Sequence, residues 1–316
     1  MTRFFLITSL LITSHLFSQK ATLSPYSFYG LGESLFSGTA DQRSMGGLVA
    51  HVDSIHHNVS SPASLAELKL VNYNIGANYS RRNFISDANS SKNETAGIDY
   101  ITVAIPTKHF GFGFGLLPKT AVGYRLSVSE ENDAVSSNSN YEGSGGINQV
   151  FFSFGFSPVK NLGLGASLHY NFGSITRLHI RQDEGVDLLS QLSNESQLRG
   201  MEWNLSSYYK LNLSDRLQMQ FHYAYQPKAE LESFNARSIS TFTSLGEQRD
   251  TQEVNLALEG LDETRSELPA KQTIGGGIGE PKKWYIGGQW TETDGSIDNV
   301  FYAVGSVRYE PASQLS

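Results

Sequence analysis

Tyr73, Ile75, Ala77 and Tyr79 are apolar or aromatic, whereas Asn72, Asn74, Gly76, Asn78 and Ser80 between them are polar or tiny. This two-residue rhythm returns about ten times along the chain, and in an extended strand it places the two kinds of side chain on opposite faces. Leu164, Ala166, Leu168, Tyr170 and Phe172 share one parity, and Gly163, Gly165, Ser167, His169, Asn171 and Gly173 share the other. Leu217, Met219, Phe221, Tyr223 and Tyr225 alternate with Gln218, Gln220, His222 and Gln226, and Phe112, Phe114 and Leu116 alternate with Gly111, Gly113 and Gly115. Further strand candidates run near 98–106, 147–157, 200–213, 267–279, 284–293 and 299–309. In bilayer hydrocarbon every backbone N–H and C=O must be paired, so strands that are apolar outside and polar inside meet the constraint by closing into a cylinder. The pattern predicts an all-β, antiparallel transmembrane barrel, with Leu168, Phe172, Phe221 and Tyr223 toward lipid and Gly165, His169, Gln220 and His222 toward the lumen.

A soluble β-sandwich also alternates, so the connections decide between them. Thr107-Lys108-His109, Pro158-Val159-Lys160-Asn161, Ser214-Asp215-Arg216 and Glu280-Pro281-Lys282-Lys283 read as tight turns. The links between them, near 85–97, 129–146, 177–199 and 231–266, are long and rich in Ser, Asn, Asp and Glu. Short periplasmic turns alternating with long extracellular loops are the habit of outer-membrane barrels. At the other end of the chain, Arg3 followed by Phe4-Phe5-Leu6-Ile7 and an apolar stretch to Phe17 has the layout of a secretory signal over 1–18, ending at Ser18 or Gln19. Export plus strand periodicity points to the outer membrane of a gram-negative bacterium.

Composition agrees and excludes other classes. Hydrophobic residues make up 39% of the 316 and mean hydropathy is -0.29, and no internal run reaches the roughly 20 apolar residues that a spanning helix needs. Charged residues are only 17%, against about 25% in ordinary soluble domains, while glycine (30), phenylalanine (18) and tyrosine (15) are plentiful. The net charge of -7 gives no footprint for nucleic acid. The absence of cysteine removes disulfides, thiol nucleophiles, thiolate metal sites and an acylated-cysteine anchor.

Residues 19–69, between the signal and the first strand at the start of a 70–316 barrel, do not alternate and must form a tail, a periplasmic domain or a plug inside the barrel. Gly46 and Gly47 allow close approaches that a β-carbon forbids, and Pro62 fixes a bend before the first strand. Three short motifs follow in order: Ser24-Pro25-Tyr26-Ser27-Phe28-Tyr29-Gly30-Leu31-Gly32, then Arg43-Ser44-Met45-Gly46-Gly47, then Ser61-Pro62-Ala63-Ser64-Leu65-Ala66. Together they resemble the N-terminal hatch of the FadL-type family of long-chain fatty acid and hydrophobic-compound transporters, with Ser61 and Ser64 where that family carries Asn and Gly. Met45, Gly46, Gly47, Pro62 and Ala63 are the hatch-motif residues on this resemblance.

The resemblance implies a monomeric barrel of fourteen strands whose hatch fills the lumen, and passive movement of hydrophobic molecules through a lateral opening at the third strand. That strand is interrupted here by Leu117-Pro118-Lys119-Thr120, and a proline removes one ladder hydrogen bond. Pro118 is thus the candidate lateral gate; the alternative is a strand ending at Leu116 with an extension above the membrane. Strands counted to Tyr309 number about ten, so the chain either lacks about four strands at its C-terminus or closes at ten; the first is expected, because a ten-strand lumen has little room for such a hatch.

Catalysis finds little support. His51, Asp53, His56 and His57 cluster in sequence, but without a repeating metal-ligand spacing. Gly275-Gly276-Gly277-Ile278-Gly279 lacks the Lys-Ser/Thr of a phosphate loop, and no Gly-x-Ser-x-Gly elbow occurs. Glu130, Glu131, Glu230 and Glu232 read as solvated loop charges, and the sequons at Asn58, Asn78, Asn93, Asn194 and Asn212 as chance. The expectation is a non-enzyme without cofactor or metal, whose partners are outer-membrane lipid and either a hydrophobic small molecule or other outer-membrane proteins. The first is passive uptake through the barrel; the second is a non-transporting scaffold in a secretion or assembly complex, served by long loops at 177–199 and 231–266.

Overall fold

The computed structural model describes residues 22–85, 90–132, 135–243, 245–281, 283–295 and 299–309; the signal expected over 1–18 lies outside them. The strands are β1 (Glu33–Ser34), β2 (Asn72–Ile85), β3 (Ser90–Pro106), β4 (Phe110–Asn132), β5 (Val135–Val159), β6 (Leu162–Asp183), β7 (Leu188–Asn212), β8 (Gln218–Gln226), β9 (Ala229–Thr243), β10 (Gln248–Val254), β11 (Glu263–Leu268), β12 (Lys271–Glu280), β13 (Trp284–Thr293) and β14 (Val300–Tyr309). All fourteen belong to one antiparallel sheet, and ten follow one another along the wall in the order β14-β13-β12-β8-β7-β6-β5-β4-β3-β2. The other four are short or sit beyond this path: β1 on β4, and β9, β10 and β11 above β7 and β8. No described helix is long and apolar enough to cross a membrane.

The tight turns fall where the sequence places them, between β3 and β4, β5 and β6, β7 and β8, and β12 and β13. Among the described residues the long links are mostly strand rather than loop. β5 and β7 each run for 25 residues, whereas roughly 9–11 suffice to span a bilayer, so the 129–146 and 177–199 stretches are the upper halves of tall hairpins. The 231–266 stretch holds β9, β10 and β11. The physical reason is that above the bilayer neither face of a strand meets lipid, so Ser, Asn and Glu stand on both faces and the alternation disappears while the ladder continues. β7 pairs with β8 over Leu205–Asn212 and with β9 over Leu188–Arg199, so β9 carries β8 upward beyond a break at Gln226-Pro227-Lys228.

Facing follows parity. Tyr73, Ile75, Met201, Trp203, Phe221 and Tyr223 are exposed on the outer face, while His169, Gln220 and His222 are buried on the inner one. Leu168 and Phe172 are half-buried. Four tyrosines break the aromatic-outside habit: Tyr100, Tyr124, Tyr208 and Tyr285 are buried. Each ring lies over a glycine of its own or the next strand: Tyr100 over Gly76, Tyr124 over Gly143, Tyr208 over Gly163, and Tyr285 over Gly277 and Gly287. The missing β-carbon makes room for the ring, and the ring covers backbone that glycine leaves bare.

Candidate functional site

The inner face of the wall is occupied by the N-terminal segment, residues 22–71, whose irregular backbone cannot satisfy its own polar groups. The wall's polar side chains do so. Gln220 accepts from Val52 N–H at 3.0 Å and donates to Val52 C=O at 3.2 Å. Gln289 treats Val49 N–H and Gly47 C=O in the same way, at 2.6 and 3.1 Å. Ser206 Oγ accepts from Ala63 N–H at 2.8 Å, Asn204 donates to Ser60 C=O at 3.0 Å, and His222 Nε2 lies 2.8 Å from Ser61 Oγ.

The motif residues sit within this contact. A short helix, α1 (Ala40–Ser44), ends at Met45, and Gly46 and Gly47 follow at φ of +71° and +87°, a turn that disfavours side chains. Gly46 C=O accepts from the Tyr302 hydroxyl at 2.9 Å, and Met45 packs with Leu48, Ala50 and Tyr285. Pro62 opens a 3-10 turn ending at Ala66, and Ala63 is fully buried against Gly165 of β6, where any β-carbon would strike its backbone.

Around the candidate gate, the β3–β4 ladder runs from Pro106↔Gly111 to Ile101↔Leu116 and stops there. The β4–β5 ladder continues through Pro118↔Asn148, with a bulge at Lys119. Above Leu116 the neighbour of β4 on that side is β1, with Glu33 opposite Ala121 and Ser34 opposite Thr120. The Lys119 ammonium reaches inward to both oxygens of Glu202 at 2.6 Å. Glu202, buried on β7, also accepts from Gln149 at 2.6 Å and Gln226 at 3.3 Å and lies 3.4 Å from His169 Nδ1. One carboxylate thereby ties together β4, β5, β6, β7 and β8.

Higher up, Phe28 and Leu31 of the N-terminal segment pack into a cluster of Val122, Tyr124, Ile147, Ile175, Leu198 and Leu231. At the opposite end, beside the tight turns, lies a cavity of about 240 Å³ with an ionic rim that includes Asp53, His56, Glu67, Lys210, Glu280 and Arg308.

Asp41, Asp53 and His56 converge near this cavity with ligand atoms within 4.8 Å of one another. The Arg308 guanidinium stands 3.1 Å from Asp41 and 3.7 Å from Asp53, so the group already holds a cation of its own. Its arrangement ties α1 and the His51–His56 stretch to β14. Burial works against the Asp53 carboxylate, but hydrogen bonds from the His56 side chain and from the backbone of His56 and Ile55 outweigh it and hold the group below the ordinary carboxylate range. The same 2.6 Å hydrogen bond to Asp53 raises His56. Burial alone brings His57 down to about 4, and His51, stacked edgewise on Tyr285, falls to about 4 chiefly for the same reason. Sequence reasoning singled out His51, Asp53, His56 and His57 but not Asp41 or Arg308, which lie 12 residues before and 255 residues after Asp53.

The fold matches the crystal structure of the Pseudomonas putida toluene transporter TodX with a TM-score of 0.51, at 14% identity over 88% of this chain and 78% of that one. The FadL-like barrel read from the hatch motifs is thereby shown as a fold. No curated protein matches the chain. The model of the BamG family matches residues 1–316, its whole length, and the chain belongs to that family.

Proposed function

We propose that this chain is a non-conducting FadL-like barrel of the gram-negative outer membrane, reached after signal-directed export, that serves as a structural partner in an outer-membrane assembly or secretion complex. It has no enzymatic role, cofactor or nucleic-acid partner in this reading. The observation that carries it is the apolar cluster on the inner face of the upper strands, which the N-terminal segment covers. A conduit for hydrophobic compounds needs an open apolar pocket there, whereas Phe28 and Leu31, themselves half-buried, pack against the apolar side chains that would line it. The inner wall around Glu202 is ionic and hydrogen-bonded, and the cavity at the other end is rimmed by charge. The tall hairpins offer a broad, rigid surface to other proteins.

The test is native electrophoresis of the tagged protein, solubilised from its own outer membrane in mild detergent. Migration far above its 34.8 kDa is expected. Migration as a lone barrel, together with slower uptake of an aromatic hydrocarbon in cells lacking it, would overturn the reading. A second reading, passive uptake of hydrophobic compounds past a hatch and through a lateral opening, is favoured by the end of the β3–β4 ladder at Leu116, two residues before Pro118. It expects Pro118→Val to lower hydrocarbon uptake in cells with matched surface levels.

A further inference from the structure

Between β3 and β4 the wall divides. Over Ser90–Tyr100, β3 has ladder partners only in β2, and its pairing with β4 begins at Ile101. Above Leu116, β4 is laddered to β5 on one side apart from the bulge at Lys119, while on the other its ladder partner is a piece of the N-terminal segment. Two strand edges therefore face each other across a groove, and an unused edge is a template for pairing with another strand.

The chain fills the lower part of this groove itself. Glu33 and Ser34 pair antiparallel with Ala121 and Thr120, Leu35 N–H donates to Lys119 C=O at 2.9 Å, and Ser24 N–H donates to Gly123 C=O at 2.9 Å. The Glu33 carboxylate accepts from Arg82 at 2.9 Å and from the Thr22 hydroxyl at 2.6 Å, which ties the segment to β2 as well. Two glycines make the fit possible. A β-carbon on Gly32, at φ +96°, would strike the Ala121 carbonyl, and one on Gly123 would strike that of Thr22. Yet the resident ladder is only two residues long, and Arg125, Ser127 and Ser129 of β4 have no ladder partner on that side among the described residues.

We propose that the β3/β4 groove is an acceptor for an extended β-strand of a partner outer-membrane protein, and that β1 is its resident placeholder. This rests on the assembly-partner reading. The incoming strand runs antiparallel to β4 and gains backbone hydrogen bonds that β1 leaves unmade. It carries an acidic side chain where Glu33 now meets Arg82, and a glycine where Gly32 passes the Ala121 carbonyl.

The natural absence of cysteine makes the test clean. In the variant Ser34→Cys/Thr120→Cys, oxidation locks β1 onto β4, and reduction frees it within the same folded molecule. The probe is a fluorescein-labelled synthetic peptide of residues 29–37, incubated with purified protein in detergent and followed by co-elution. Wild type and the reduced variant are expected to take up the peptide at equal rates, the oxidised variant at less than about a tenth of that, and Glu33→Ala, which loses charge-assisted bonds to Arg82 and Thr22, about threefold faster. No uptake by wild type and Glu33→Ala, or equal uptake by oxidised and reduced forms, would overturn strand exchange. In cells, the oxidised lock is expected to deplete the large native complex. A complex that persists with the lock closed ends the partner-strand proposal while leaving the assembly reading intact; a wild type that forms no complex ends the assembly reading while peptide exchange is judged separately.

Discussion

A β-carbon on Gly163 would occupy the space of the Tyr208 ring on the neighbouring strand. Gly163→Val is therefore expected to cost about 1–3 kcal/mol, as overpacking does, and Gly163→Val/Tyr208→Ala to recover part of it, read from unfolding midpoints in detergent. His57 gives a residue-scale prediction of a different kind. Its folded value of about 4 lies below the ordinary 6.5, so the folded protein favours the neutral ring. The stability this represents is complete above pH 6.5 and is lost as pH falls from 6.5 to 4, by about 3 kcal/mol in all. His56, raised by Asp53, runs the other way: its contribution is present at low pH and fades as pH rises through its folded value. His57→Gln is expected to flatten the acid limb of the midpoint-against-pH curve, and an unchanged limb would assign the loss elsewhere. Little of this was visible in the sequence. Tyr208 and Tyr100 share the chemistry of the lipid-facing Tyr73 and Tyr223, and what tells the inner rings from the outer ones is their parity with buried neighbours such as Ser206 and Thr102 and the glycine on the adjacent strand. The Lys119–Glu202 bridge joins residues 83 positions apart, and no local pattern announces it.

At the scale of the element, β6 and β8 were legible because lipid touches one face and the N-terminal segment the other, which keeps the period of two intact through Leu164–Phe172 and Met219–Tyr225. The upper halves of β5 and β7 look like loops in the sequence for want of that contrast: Ser137, Asn138, Ser139 and Asn140 are polar on both parities, and it is the ladders to β4 and β6 that show them to be strand. The β8–β9 run was hidden by Pro227, which breaks the local pattern while β7 pairs on past it. Orientation is testable on these elements. An epitope inserted at Gly185, in the turn joining β6 to β7, is expected to bind antibody on intact cells. One inserted at Lys160-Asn161, between β5 and β6, is expected to react only after the outer membrane is opened. The reverse result would invert the barrel.

For the molecule as a whole, the outer face exposes Tyr73, Ile75, Trp203, Phe221 and Tyr223 to the surroundings, with no second sheet against it among the described residues. The protein is expected to fractionate with the outer membrane and to resist extraction by urea or carbonate; recovery in the soluble periplasm would end the barrel reading. Phe221→Arg, which sets a charge toward lipid near mid-wall, is expected to lower stability by roughly 2–4 kcal/mol. The bonds between the N-terminal segment and the wall carry one more consequence. Val49 meets Gln289 across 240 residues, Gly46 meets Tyr302 across 256, and Asp41 meets Arg308 across 267. An early part of the chain thus waits for strands made 240 to 267 residues later, and such distant pairings are slow to form. In kinetic terms the seating of the segment and the completion of the wall are one coupled event, because the groups that hold the segment in place stand on strands far along the chain.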